Sequence, residues 1–142
     1  MKFDLISKLA VSVALAPLAA AITGNTAQVS TIFDMQGNMG AALVIATGTL
    51  ADADATFTVL LEESDASDMS GANAVSDSDL NGTEALAGFT FAEDSKCRKL
   101  GYVGSKRYIR ATITPATNTG AAPLSAIWLG MVEDAPAANP PG

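Results

Sequence analysis

The residues in this chain best suited to chemistry are acidic. Asp77-Ser78-Asp79-Leu80-Asn81-Gly82 has the spacing Asp-x-Asp-x-Asn-Gly. That spacing opens a calcium loop, because alternate oxygen donors followed by a glycine turn can wrap one hard cation. Such a loop also needs a bidentate acid at its twelfth position, and here that position is Gly88. Glu84 comes too early, and no flanking helix pair is evident. Asp77, Asp79, Asn81 and Glu84 therefore form a weak metal candidate, set against the simpler reading of an acidic surface turn. Asp52 with Asp54, and Glu62 with Glu63, are further carboxylate pairs. Such pairs do glycoside chemistry only when they flank a bound sugar, and the chain has a single tryptophan, Trp128, to offer as a platform. Between Ile127 and Leu129 it reads as core or interface.

The chain has no histidine and one cysteine. Ser-His-Asp and Cys-His catalysis are thereby excluded, together with the commonest metal ligand. Cys97 has no partner for an internal disulfide. Its neighbours Lys96 and Arg98 are of the kind that acidify a thiol, but the expected state is a small buried strand residue. No phosphate loop, dinucleotide fingerprint or nucleophile elbow is present. The expectation is a protein without enzymatic activity and without a cofactor.

The charge is uneven. The net charge is −7, and eleven of the fifteen acids lie between Asp52 and Asp94. Six of the eight basic residues lie between Lys96 and Arg110, and both tyrosines, Tyr102 and Tyr108, fall among them. Gly101 to Thr114 reads as two strands joined at Gly104-Ser105, a Gly-X pair suited to a type II′ hairpin. Lys99, Lys106, Arg107, Tyr108 and Arg110 are its candidate contact residues. Three readings stand open for them: a solvated face with cation–π pairs, a surface that meets a partner's acids, or a grip on nucleic acid. The acidic balance disfavours the last, because such binding depends on neutralising phosphates.

The elements around these residues are short and extended. Val29 to Asp34, Ala41 to Thr47, Thr56 to Glu63, Lys96 to Val103, Lys106 to Thr114 and Leu124 to Val132 read as strands. Phe89 to Phe91 reads as an edge piece. Gln36 to Gly40 reads as a turn. Ser64 to Gly88 reads as a long surface excursion anchored by Val75 and Leu80, with one helical turn near Asp77. At 142 residues one domain is expected, all-β, as an antiparallel β-sandwich or jelly-roll-like barrel. Residues 25–132 form that domain, and 133–142 form a Pro/Ala-rich tail.

Residues 1–24 are expected as an extended or short-helical N-terminal arm. Lys2 and Lys8 followed by an apolar run to Ala21 have the look of a secretory signal, but Asp4 interrupts the basic start. The thirteen residues from Leu9 to Ala21, broken by Pro17, fall short of the ~20 needed to cross a bilayer. The expectation is a retained arm whose Leu5, Leu9, Val13, Leu15, Leu18 and Ile22 lie on a neighbouring subunit or host surface, because an exposed apolar arm would otherwise aggregate.

Several blocks together resemble small structural proteins of tailed bacteriophages encoded among the head genes, and most of all capsid decoration (cement) proteins. They are Ile32-Phe-Asp34-Met-Gln36-Gly37, Ala41 to Thr49, Thr58 to Asp65, Leu100 to Thr114 and Ser125 to Gly130. Gly-Tyr-x-Gly-x-Lys-Arg-Tyr-x-Arg is the most specific of them. The resemblance implies a homotrimeric β-sandwich on the outer surface of the virion, made in the host cytoplasm. It implies major capsid protein as partner, with no catalysis, nucleic acid or membrane. It transfers no ligand residues. A head–tail connector or tail structural protein, and a secreted calcium- or carbohydrate-binding β-sandwich, stay open as alternatives.

Overall fold

The computed structural model describes residues 4–17 and 21–133. In chain order the elements are β1 (Leu9–Leu15), β2 (Gln28–Val29), β3 (Phe33–Asp34), β4 (Asn38–Thr47), β5 (Thr56–Ser64), β6 (Asn73–Ala74), β7 (Leu80–Asn81), α1 (Glu84–Ala87), β8 (Phe89–Thr90), β9 (Cys97–Tyr102), β10 (Tyr108–Ala116) and β11 (Leu124–Val132). They form an antiparallel β-sandwich. One sheet has the order β1-β11-β4-β9-β7. The other has the order β2-β10-β5-β6, with β3 added to β10 and β8 to β5.

Period-two patterning explains the second sheet. In β5, Phe57, Val59 and Leu61 point inward while Thr56, Thr58 and Leu60 point out. In β10, Ile109, Ala111 and Ile113 are buried. The two strands pair in continuous register from Tyr108 opposite Ser64 to Ala116 opposite Thr56. The core is mainly aliphatic, as Leu43, Ile45, Leu61, Leu100, Ile109 and Ile113 are all fully buried. Trp128 is fully buried too, with its ring 5.7 Å from that of Phe33 and its Nε1–H donated to the Thr31 carbonyl at 3.2 Å. Phe57 and Phe89 stack at 4.7 Å. Val75 and Leu80 anchor the acidic excursion by burial, and a single 3-10 turn spans Asp77–Asp79.

Four local expectations are corrected. Gly101 to Thr114 is not a hairpin, because β9 pairs with β4 and β7 in one sheet while β10 pairs with β5, β2 and β3 in the other. The connection crosses the sandwich. Val29 to Asp34 is broken into β2 and β3 by Ser30, whose buried hydroxyl accepts from Ala111 N–H at 2.9 Å and donates to the Thr31 carbonyl at 2.8 Å. The turn expected over Gln36 to Gly40 closes at Gly37, which has a φ of +79°, so β4 begins at Asn38. Cys97 is exposed, since it lies at the start of β9 on the sheet's outer side.

The segment expected as an arm contributes a strand to the sandwich. Leu9 to Leu15 pairs with β11 from Leu9 opposite Met131 to Leu15 opposite Ala126, with a bulge after Val13. The apolar run that looked like a signal therefore supplies a sheet edge, and the expectation that it lies wholly on a neighbour is corrected for these seven residues.

Candidate docking surfaces

The loop between β9 and β10 is built on Tyr102. Its ring is buried, and its hydroxyl donates to Glu63 Oε2 at 2.7 Å and accepts from Lys106 N–H at 2.9 Å. Burial, and then the Glu63 carboxylate, push the phenol pKa well above its ordinary value. Gly104 lies flat on this ring. A Cβ there would stand 2.5 Å from the hydroxyl oxygen, so the glycine is required for room. It is not among the residues with positive φ, as a II′ turn would demand.

The basic residues expected to reach a partner are matched within the chain. Lys106 pairs with Asp65. Arg107 donates to both oxygens of Asp34, at 3.0 and 2.9 Å, and lies 5.1 Å from the Tyr108 ring centre. Arg110 pairs with Glu62 across the strand at 2.9 Å, and Arg98 with Glu93. The hydrogen bond from Arg107 holds the Asp34 carboxyl below the usual carboxylate range, and that from Lys106 does the same for Asp65. Lys99 is different. It sits on the outer side of β9 and pairs with no carboxylate among the described residues.

The metal candidate is dispersed. Glu84 opens α1, and its Oε1 accepts from Leu61 N–H at 2.6 Å, which commits it to holding the helix on β5. Asp79 takes a long bond from Ser76 Oγ at 3.5 Å. Among the described residues, no three acidic or cysteine side chains converge where a cation could sit.

The expected arm residues go to separate places. Leu5 is 66% exposed. Leu9 and Val13 lie on the edge strand, Leu15 packs against the core, and Ile22 is buried with its backbone bridged to Ala122. Leu18 lies outside the described residues.

A surface that sequence reasoning missed emerges from the register. Direct partners in an antiparallel sheet share a face. Val13, Ile127, Val44 and Lys99 therefore form one row across the outside of the five-stranded sheet. Val11, Leu129, Ala42 and Gly101 form the next, and Leu9, Met131 and Gly40 a third. Met131 is 52% exposed, Val13 51% and Ile127 37%. The outer face of the other sheet is mixed: Thr58 lies opposite Thr114 and Glu62 opposite Arg110, while Val29, Thr112 and Leu60 form a row between them in which Val29 and Leu60 are exposed. The signal for the apolar face was present in Ala41 to Thr47, an unbroken apolar run. Such runs mark strands covered on both faces.

No helix among the described residues is long and apolar enough to cross a membrane. No protein-family model matches the chain, and no curated protein sequence matches it. Among solved structures, the chain is similar to the coat protein of Tobacco streak virus, with a TM-score of 0.40 and 15% identity over 96% of this chain and 94% of that one.

Proposed function

We propose that this chain is a non-enzymatic structural protein of a virus particle, a decoration (cement) protein of a tailed-phage head. In this reading it binds the outer capsid surface and stabilises the mature shell by bridging major capsid subunits. A three-fold trimer is the form that the sequence resemblance implies. The observation that carries the reading is the apolar outer face of the five-stranded sheet. It lies on a chain whose other outer sheet face is mixed and in which Arg98, Lys106, Arg107 and Arg110 are paired internally. A surface of that kind works by being covered. Leu5 and Ile6, 66% and 62% exposed just before β1, are the part of the expected arm left free to attach to the shell. Attachment repeated around an oligomer makes individually weak contacts strong as a set.

Imaging of whole particles, with copies of the chain counted, tests the reading. Many copies on the outer lattice support it. A single ring at one vertex would assign the chain to a connector, and absence from particles would reject both. Replacing Leu5 and Ile6 together by Asp is expected to lower occupancy on purified heads while the sandwich stays folded. Deleting residues 2–22 would be a poor test, because it also removes β1 and exposes the edge of β11.

A further inference from the structure

We infer that the outer face of the five-stranded sheet is covered by another copy of this chain. The face is apolar over three adjacent strands. Its central row joins Val13, Ile127 and Val44, and only Lys99, on the far strand, carries charge. Four strands of about seven residues make a face of roughly 450 Å², within the range of the largest apolar patch on an ordinary monomer and often functional. It is smaller than the ~800 Å² per partner of a standard interface, which puts the association at the weak, concentration-dependent end.

Charge selects the occupant. The chain carries −7, so two copies repel along most lines of approach. Among the described residues, no carboxylate lies on the rows of this face. Two copies can therefore meet on it without opposing acids. Its composition also suits a copy, since homo-oligomer interfaces are more apolar than transient ones and resemble a domain core cut in two. Lys99 lies on β9, away from the apolar centre, where its stem can pack while its ammonium stays in water.

The inference concerns the chain alone in solution, and it stands or falls independently of any virus particle. Purified full-length chain is expected to sediment heavier than its 14.4 kDa monomer. A dimer supports the inference; a trimer overturns it, because there the face would meet a different surface of the next copy. Val44→Lys and Ile127→Lys are each expected to sediment as monomers with an unchanged circular dichroism spectrum. Thr58→Lys, on the outer face of the other sheet, is expected to keep the wild-type mass. A monomeric wild type overturns the inference, as does an oligomer that survives in folded Val44→Lys or is lost in Thr58→Lys. If the lysine variants fail to fold, the unaltered protein still decides. Its Tm rises with protein concentration if copies associate through folded surfaces, and a Tm independent of concentration overturns the inference.

Discussion

Tyr102 and Gly104 hold the crossing between the sheets as a unit. The Tyr102 hydroxyl takes the Lys106 N–H and gives its proton to Glu63, while Gly104 leaves room for the ring. Tyr102→Phe strands the Lys106 N–H, which should cost about 1–3 kcal/mol. Gly104→Ala overpacks the ring and should cost a similar ~1–3 kcal/mol. Urea unfolding measures both, and an unchanged midpoint would refute either. At the same scale, Asp52 clips two loops together by accepting from Thr119 N–H at 2.7 Å, Thr119 Oγ1 at 2.8 Å and Asp54 N–H at 3.0 Å. The Thr119 N–H, first among these donors, holds its carboxyl below the usual range. Asp34, Asp52 and Asp65 are thus more acidic folded than unfolded, so the unfolded chain takes up more protons as pH falls. Their stabilisation is present above the usual carboxylate range and is lost as pH drops through the folded values. The Tm should therefore decline below about pH 4, and Asp52→Asn should flatten that decline. A Tm that ignores pH in this window would contradict the assignment.

Among the longer strands, β1 is one that lies at a sheet edge. It has β11 on one side, and on the other the Thr31 clip, where Thr31 N–H bonds the Ala14 carbonyl at 2.9 Å and Thr31 Oγ1 bonds that of Val13 at 2.7 Å. Thr31→Val removes the hydroxyl bond, worth about 0.5–1.5 kcal/mol. Amide hydrogen exchange should speed up in Leu9 to Leu15 and stay unchanged in β4; equal rates in β1 would rule the clip out. The strands themselves were legible where local pattern decides them. In β5 and β10 the alternation of Phe57, Val59 and Leu61, and of Ile109, Ala111 and Ile113, states which side is buried. Pairing was not legible. Gly104-Ser105 has the composition of a hairpin turn, and what sends the chain into the other sheet is long-range: the pairing of β9 with β4 and of β10 with β5, and the bond from Tyr102 to Glu63. For the same reason the contact residues were half found. Lys106, Arg107 and Arg110 stand out as cations, but their acids Asp65, Asp34 and Glu62 lie far off in sequence and cancel them after folding.

For the molecule as a whole, the two sheets differ in what they leave outside. One carries threonines and a cross-strand ion pair beside Val29 and Leu60, and the other carries valine, isoleucine, leucine and methionine with no carboxylate on its rows. The sheet that carries the ion pair and the threonines is the one better suited to water, so in an assembly the β5–β10 sheet should face solvent and the five-stranded sheet should be covered. Carboxyl labelling at Glu62 and amine labelling at Lys99 on intact particles would check this. If Glu62 were shielded and Lys99 accessible, the orientation would be reversed.

The pairing of β1 with β11 also has a consequence in time. The second strand of that pair is made more than a hundred residues later, so Leu-Ala-Val-Ser-Val-Ala-Leu leaves the ribosome with no partner until Leu124 to Val132 follows. Until then the chain presents an uncharged, β-prone segment of the sort that draws other chains to it. Ring closure over so long a loop is also slow. This protein should accordingly be made soluble more readily at low synthesis rates. A chain ending before Leu124 should aggregate, because β1 would then never find the strand that shields it.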